Sequence, residues 1–340
     1  MKDSGERLGG REETDLYAII EAESGLRCRG NFFSIKNSMA SKKKVIVGLG
    51  ELLWDLLPAG RQLGGAPANF AYIATLLGDS GIPASRVGCD PFGEEALARL
   101  GQLGLNADFI QRDSAHPTGT VKVEVDDAGQ PRFEISERVA WDFLEWTPAW
   151  QQLAEQADAV CFGSLAQRSS QSRSTIHSFL RAVRPVACRV FDVNLRQHFY
   201  DAEILRESMQ VTSIVKLNRE ELPKVMGLLG LDHPDMQESA RRLLATYDLQ
   251  LVCITLGEGG SVLISRNDRS EHPGFKVKVA DTVGAGDAFT AALVNRFLRG
   301  ATLAEMNETA NRVGAWVASQ PGATPNVAPE KLKQRLSEIG

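Results

Sequence analysis

Asp281 to Phe289 reads DTVGAGDAF, nine residues with two glycines, two aspartates and no lysine. Before it, FKVKV alternates like a strand. After it, Phe289, Leu293 and Phe297 recur at helical spacing and Gly300 suits the stop. The stretch therefore reads as strand, tight turn and helix, with the backbone N–H groups of Val283 to Gly286 gathered at a helix N-terminus. Such groups bind an anion through hydrogen bonds and the helix dipole, without a lysine. Asp287 beside them has two readings. It is either a helix-start residue that complements the dipole, or a general base that takes a proton from an attacking hydroxyl while the N–H groups hold the gathering charge. Phosphoryl transfer needs mainly positioning and charge stabilisation, so one base and one anion hole suffice with a metal-bound nucleotide. A Walker loop is excluded, because G-x-x-x-x-G-K-[ST] does not occur. The dinucleotide fingerprint fails where Phe289 replaces its third glycine, and the protein-kinase motif set is absent.

Four other stretches could meet such a reaction. In GGAPANFAYIATLLGD, Gly64-Gly65 gives a turn, Pro67 stands at a helix start and Gly78 at its stop. Asn69 then falls in the first turn, either satisfying a local donor or reading a hydroxylated ligand. In GELLWDLLP, Asp55 interrupts an apolar run just past the first strand; it either ends the strand at the surface or offers two acceptor oxygens to paired hydroxyls at the strand ends where open α/β sheets bind ligands. KLNREEL sets Asn218 and Glu221 three residues apart after an apolar strand, where both could hold water around magnesium. TLGEGGS, from Thr255 to Ser261, is a glycine turn between strands that lets backbone approach a ligand. Each of these patterns is common when taken singly.

The elements that must position these residues are legible as an alternation. From Lys44 onward the apolar runs VIVGLGE, DAVCFGSL, CRVFDVNL, SIVKLN and LQLVCITLG are interleaved with amphipathic stretches. That pattern predicts a mostly parallel sheet covered by helices on both faces. TGTVKVEVDDAGQPRFEIS differs: Val121, Val123 and Val125 alternate with charged residues, and after an Asp/Gly turn the alternation resumes at Phe133 and Ile135. This is a hairpin with one wet face, an edge elaboration or a lid. Residues 1–42 are polar and glycine-rich and read as an extension, a leader or an over-extended start with Met39 as a candidate true start.

With 340 residues, 43% hydrophobic and 24% charged, the chain has the composition of a globular enzyme. A net charge of −5 without long like-charge blocks argues against nucleic acid and acidic membrane surfaces as partners. Cys28, Cys89, Cys161, Cys188 and Cys253 form no C-x-x-C, and four of them sit in apolar strand-like runs. Buried thiols in a reducing compartment, hence a cytoplasmic location, are expected.

GGAPANFA, DVNLR, KLNREE, TLGEGG and DTVGAGDAF, in this order, resemble the ribokinase-like (PfkB) carbohydrate kinases from about Lys44 to about Arg335. The resemblance implies a three-layer α/β/α core over residues 43–335 with a small β-sheet lid, whose segments lie near 58–63 and 118–136. It implies ATP and Mg²⁺ as cofactors, with K⁺ in many members. Asp287 becomes the base and Gly284, Ala285 and Gly286 the anion hole. Asp55, Gly65, Asn69 and Arg196 are implied at the sugar. Asn218, Glu221, Thr255, Gly257, Gly260 and Asn311 are implied at the nucleotide, with Glu221 linked to magnesium through water and Asp281, with the QPGATP loop, to the monovalent cation. Lids of this family often pair across a homodimer. GELLWDLLP, GGAPANFA and DVNLRQ look most like fructokinases. Ribokinase, 2-keto-3-deoxygluconate kinase and nucleoside kinase are the alternatives within the family; outside it stand a non-catalytic sugar sensor and a Rossmann dehydrogenase.

Overall fold

The protein was analysed as a computed structural model, which describes residues 43–57, 60–125 and 131–340. The expectations for residues 1–42, for Pro58 and for the hairpin turn at 126–130 lie outside the described residues. Lys43–Gly340 forms one unit.

The strands are β1 (Val45–Leu49), β2 (Leu53–Leu57), β3 (Gly60–Gly64), β4 (Ser80–Gly88), β5 (Ile110–Asp113), β6 (Gly119–Val125), β7 (Pro131–Ile135), β8 (Ala159–Phe162), β9 (Cys188–Asp192), β10 (Ile214–Asn218), β11 (Leu251–Thr255), β12 (Ser261–Ile264) and β13 (Arg269–His272). The helices are α1 (Ala66–Leu76), α2 (Pro91–Gln102), α3 (Pro148–Gln156), α4 (Ser170–Ala182), α5 (Ala202–Gln210), α6 (Glu221–Leu229), α7 (Met236–Tyr247), α8 (Ala285–Phe297), α9 (Leu303–Ala318) and α10 (Pro329–Ser337). Nine strands form one sheet in the order β13-β12-β11-β10-β9-β8-β1-β4-β5, parallel except for the β11–β12 and β12–β13 pairs. The uniformly apolar runs become its central strands because both faces are covered. In β11, Val252 and Ile254 face a core shared with α3 to α7, whereas Leu251 and Cys253 face one shared with α1, α2 and α8 to α10. The chain winds outward from β1 in both directions, to β4 and β5 on one side and to β8, β9 and β10 on the other. The β1/β8 junction is thus the topological switch point, where open α/β sheets leave a ligand crevice beyond the strand carboxyl ends.

The remaining strands make a smaller sheet, β3-β2-β6-β7, with β2 parallel to β6 and the other pairs antiparallel. The period-two reading of the hairpin holds: Val121 pairs with Ile135 and both are buried in the main core, while their neighbours Lys122 and Glu134 pair with each other and are exposed.

Three local expectations are corrected. FKVKV is not a strand: it does not extend the sheet beyond the edge strand β13; Phe275 and Val277 pack against the core, and the chain runs on to the Ala280 and Asp281 amides, which bond to the Ala318 carbonyl. Cys89 follows β4 and is exposed, although Cys161, Cys188 and Cys253 are buried free thiols as expected. Asp55 does not end a strand of the main sheet; it stands mid-strand in β2 of the small sheet, opposite Gln62 and Val121.

Candidate active site

Helices α1 and α8 lie on the same face of the sheet, and their first turns meet at the switch point. Asn69 of α1 donates from Nδ2 to Asp287 Oδ2 of α8 at 2.8 Å, joining residues 218 apart in sequence. Ala66, Pro67, Gly163, Asp192 and Asn194 line a narrow crevice there with Asp287. Part of Asp287's surface meets solvent, yet its carboxyl is packed round by protein. Burial, followed by the charge of Asp192, raises it to about 6 against the Asn69 hydrogen bond and the cations Lys216 and Arg196. A carboxyl so tuned is ionised at neutral pH while still basic enough to accept a proton.

Gly284 adopts φ 76 at the start of α8, a left-handed conformation that glycine takes without steric cost, and no side chain caps the helix there. The loop is braced from outside by Asp281, whose Oδ1 accepts from the Val283 amide at 3.0 Å and whose Oδ2 accepts from Gly322 at 3.2 Å. The Val283 amide is therefore occupied, and the Ala285 amide closes a turn onto the Thr282 carbonyl at 3.3 Å.

Asp55 is half-buried and lifted to about 6 by burial, which the charge of Arg196 opposes and that of Asp281 supports. Glycine at 64 leaves room for its carboxyl, since a side-chain carbon there would collide with Oδ2. Arg196 is exposed, and its charge reaches Glu51, Asp55 and Asp287 alike. Of the implied sugar readers, Asn69 bonds to Asp287, Arg196 is felt by both Asp55 and Asp287, and Gly65 stands immediately before α1.

On the other side of the switch point Asn218 and Glu221 form a reciprocal cap at the start of α6. Asn218 Oδ1 accepts from the Glu220 and Glu221 amides at 2.9 and 2.8 Å, and Glu221 Oε2 accepts from the Asn218 amide at 2.8 Å. Glu221 Oε1 also accepts from the Leu195 amide at 2.8 Å, which ties the DVNLR loop to this turn. Thr255 lies beside Asn218 in register, and Gly257 opens the turn that follows with φ 62. Gly260 has a structural reason: a side chain there would strike the His272 carbonyl, so its bareness admits the neighbouring chain. Asn311 is buried and donates to Ser261 Oγ at 2.8 Å and Asn307 Oδ1 at 2.9 Å, which turns its amide into the protein.

The motifs missed two charged groups. Glu51, in the loop after β1, is 3% exposed and one of its oxygens has no partner among the described residues. Lys216 of β10 is 8% exposed and pairs with Asp192 of β9 at 3.0 Å. Both sit inside apolar runs, where the strand pattern hides them; the signal available was a charge in a segment otherwise read as fully buried.

A model of the pfkB family carbohydrate kinases matches residues 59–331. A fructokinase of Escherichia coli is 34% identical over 261 residues, covering 72% of this chain and 82% of the relative. An uncharacterized sugar kinase of Pyrococcus horikoshii is 31% identical over 298 residues, covering 82% of this chain and 91% of the relative. Its structure with ATP superposes with TM-score 0.74 at 29% identity, covering 86% of this chain and 99% of that one. A Vibrio cholerae fructokinase double mutant with fructose, ADP and potassium ion bound gives TM-score 0.69 at 25% identity, covering 83% and 94%.

Proposed function

The chain belongs to the pfkB family of carbohydrate kinases, and from that premise we propose that it transfers the γ-phosphoryl group of ATP to a hydroxymethyl group of fructose, giving fructose 6-phosphate. The observation that carries this reading is the 2.8 Å bond from Asn69 to Asp287, which sets a hydroxyl-reading helix start against a carboxylate tuned to about 6. The sugar hydroxyl oxygen forms a bond to the γ-phosphorus as the bond to the bridging oxygen breaks; the electron pair leaves on ADP and the hydroxyl proton passes to Asp287. Asp55, with two acceptor oxygens, and Arg196 orient the sugar. The first turn of α8 at Gly284 to Gly286 receives the charge of the transferring group. Fructose is chosen because the fructokinase relatives are among the most similar proteins.

Magnesium fits the donor type on the nucleotide side. Among the described residues no cluster of three or more His, Cys, Asp or Glu is arranged for a metal, but magnesium takes one or two carboxylates together with phosphates and waters, and Glu221 supplies a buried one. Its chemistry is to neutralise the phosphate charge. Asp281, bridging the α8 loop to Gly322, is the proposed monovalent-cation side. Among the described residues no helix is long and apolar enough to cross a membrane.

The test is ADP release measured across fructose, ribose, 2-keto-3-deoxygluconate and nucleosides. Fructose should exceed the others in kcat/KM by tenfold or more, a difference of ~1.4 kcal/mol. The Asp287→Asn variant should lose at least ~100-fold in kcat, with both substrate dissociation constants within a few-fold of wild type. Retention of more than about a tenth of kcat in that variant would make Asp287 a helix-start residue. A preference for another sugar would move the substrate and leave the mechanism.

A further inference from the structure

The DTVGAGDAF loop brings no cation of its own, yet the fold delivers one to it. Lys216 points from β10 to the underside of α8, where its Nζ lies 3.1 Å from the point that a side-chain carbon on Gly286 would occupy. Nζ donates to both Asp192 oxygens, at 3.0 and 3.2 Å, and among the described residues it has no other hydrogen-bond acceptor. The Thr290 hydroxyl, one turn into α8, lies 2.9 Å from both Asp192 Oδ2 and the Gly286 carbonyl. A lysine–aspartate pair buried this deeply is costly to desolvate and is weak support for stability alone.

We propose that Lys216 is the fixed cation of the phosphoryl-transfer site, held by Asp192 and Thr290 beneath the first turn of α8 so that its remaining N–H meets the transferring phosphoryl group at Gly286. The inference rests on the kinase reading and adds to it a catalytic residue and two positioning residues. Lys216 makes and breaks no covalent bond. Its charge offsets what accumulates on the peripheral oxygens while the γ-phosphorus passes from the bridging oxygen to the sugar oxygen. Burial pushes the ammonium toward neutrality, but Asp192 and Glu221 more than offset that and keep it charged. Gly286 gains a reason as well: it lacks a positive φ, so its backbone would accept alanine, but the added carbon would press on the ammonium and push it back by a few tenths of an ångström.

The same charge acts on the base. The groups facing Asp287 are Asp192 of β9, which raises it, and Lys216 of β10 and Arg196 after β9, which lower it. Asn69 of α1 hydrogen-bonds to it, and Glu51 and Cys161 lie within its electrostatic reach. Lys216→Met should therefore move the acid limb of the kcat profile to higher pH, and Asp192→Asn should move it to lower pH, a pair of opposite shifts that general loosening would not produce.

Because Lys216→Met alone strands a buried carboxylate, the decisive variant is Lys216→Met with Asp192→Asn, which removes both charges. It should melt within a few degrees of wild type, keep its sugar dissociation constant and lose at least ~100-fold in kcat, the effect of removing one transition-state donor. By calorimetry, its affinity for ADP with aluminium fluoride and fructose should fall far more than its affinity for ADP alone. A folded double variant with kcat within about threefold of wild type and unchanged aluminium fluoride affinity would overturn the inference. Wild-type protein without ATP-dependent sugar turnover would overturn the kinase reading, and this inference with it; an active wild type with an equally active double variant overturns this inference alone.

Discussion

Glu51 carries its carboxyl into the protein just past β1, and burial lifts it to about 7, with the negative charge of Asp287 adding to the rise and Arg196 and the Ala66 amide opposing it. The folded state thus holds a proton that the unfolded chain has released, so the associated stability is present below the ordinary glutamate value of 4.5 and is lost as pH rises through about 7. Glu51→Gln should remove that part of the dependence: melting temperature followed from pH 5 to 8 should fall for both proteins, because Asp55 and Asp287 are raised to about 6 as well, but less steeply for the variant, a difference on the order of 3 kcal/mol across the window. Parallel curves would mean that the carboxyl titrates normally. At Asp55 the expected outcome is kinetic. Asp55→Ala should raise the sugar KM steeply and leave that for ATP almost alone; movement of the ATP constant instead would reverse the two half-sites. Asp55, Asn69 and Asp287 were legible because each interrupts or begins a recognisable element. Glu51 and Lys216 were not, since a charge within an apolar run acquires meaning only from the partner that the fold supplies.

At the scale of elements, the hairpin β6–β7 shows what periodicity can and cannot decide. Alternation set its two faces correctly, and Val121 and Ile135 are buried where Lys122 and Glu134 are exposed. FKVKV carries the same alternation without becoming a strand, because a strand exists only when it pairs with a neighbour's backbone, and FKVKV does not join the sheet beyond β13. The hairpin pairs with β2, the strand that bears Asp55, so sugar bound at Asp55 should order both. Hydrogen exchange of the β6 and β7 amides should slow on adding fructose and change little with ATP alone. Equal exchange with and without sugar would make the small sheet a fixed decoration. The NxxE stretch, by contrast, was read for ligands and is already engaged as a cap that holds the DVNLR loop through the Leu195 amide.

Across the whole molecule, the site depends on α8 being aimed at the switch point, and its far end is anchored too. Asp79, fully buried in the turn after α1, accepts from Asn295 Nδ2 at 2.8 Å and from Arg299 Nη1 and Nη2 at 3.1 and 2.8 Å. Arg299→Met leaves that carboxylate partly unpaired and should cost roughly 1–3 kcal/mol, several degrees of Tm, with kcat and KM near wild type well below the transition. A thermal melt and an assay on the same preparation check it; lost turnover with an unchanged Tm would mean that Arg299 acts on the chemistry. The sequence by itself determined the alternating α/β order, the two glycine turns, the wet face of the hairpin and the residue types of a kinase site, because these follow from local spacing, propensity and motif. Only the tertiary structure decided that Asn69 meets Asp287, that Asp55 stands in the small sheet, and that Lys216 and Asp192 lie beneath Gly286. Those contacts join strands and helices 24 to 218 residues apart, and no local pattern records which side chains a parallel sheet will bring to its carboxyl edge.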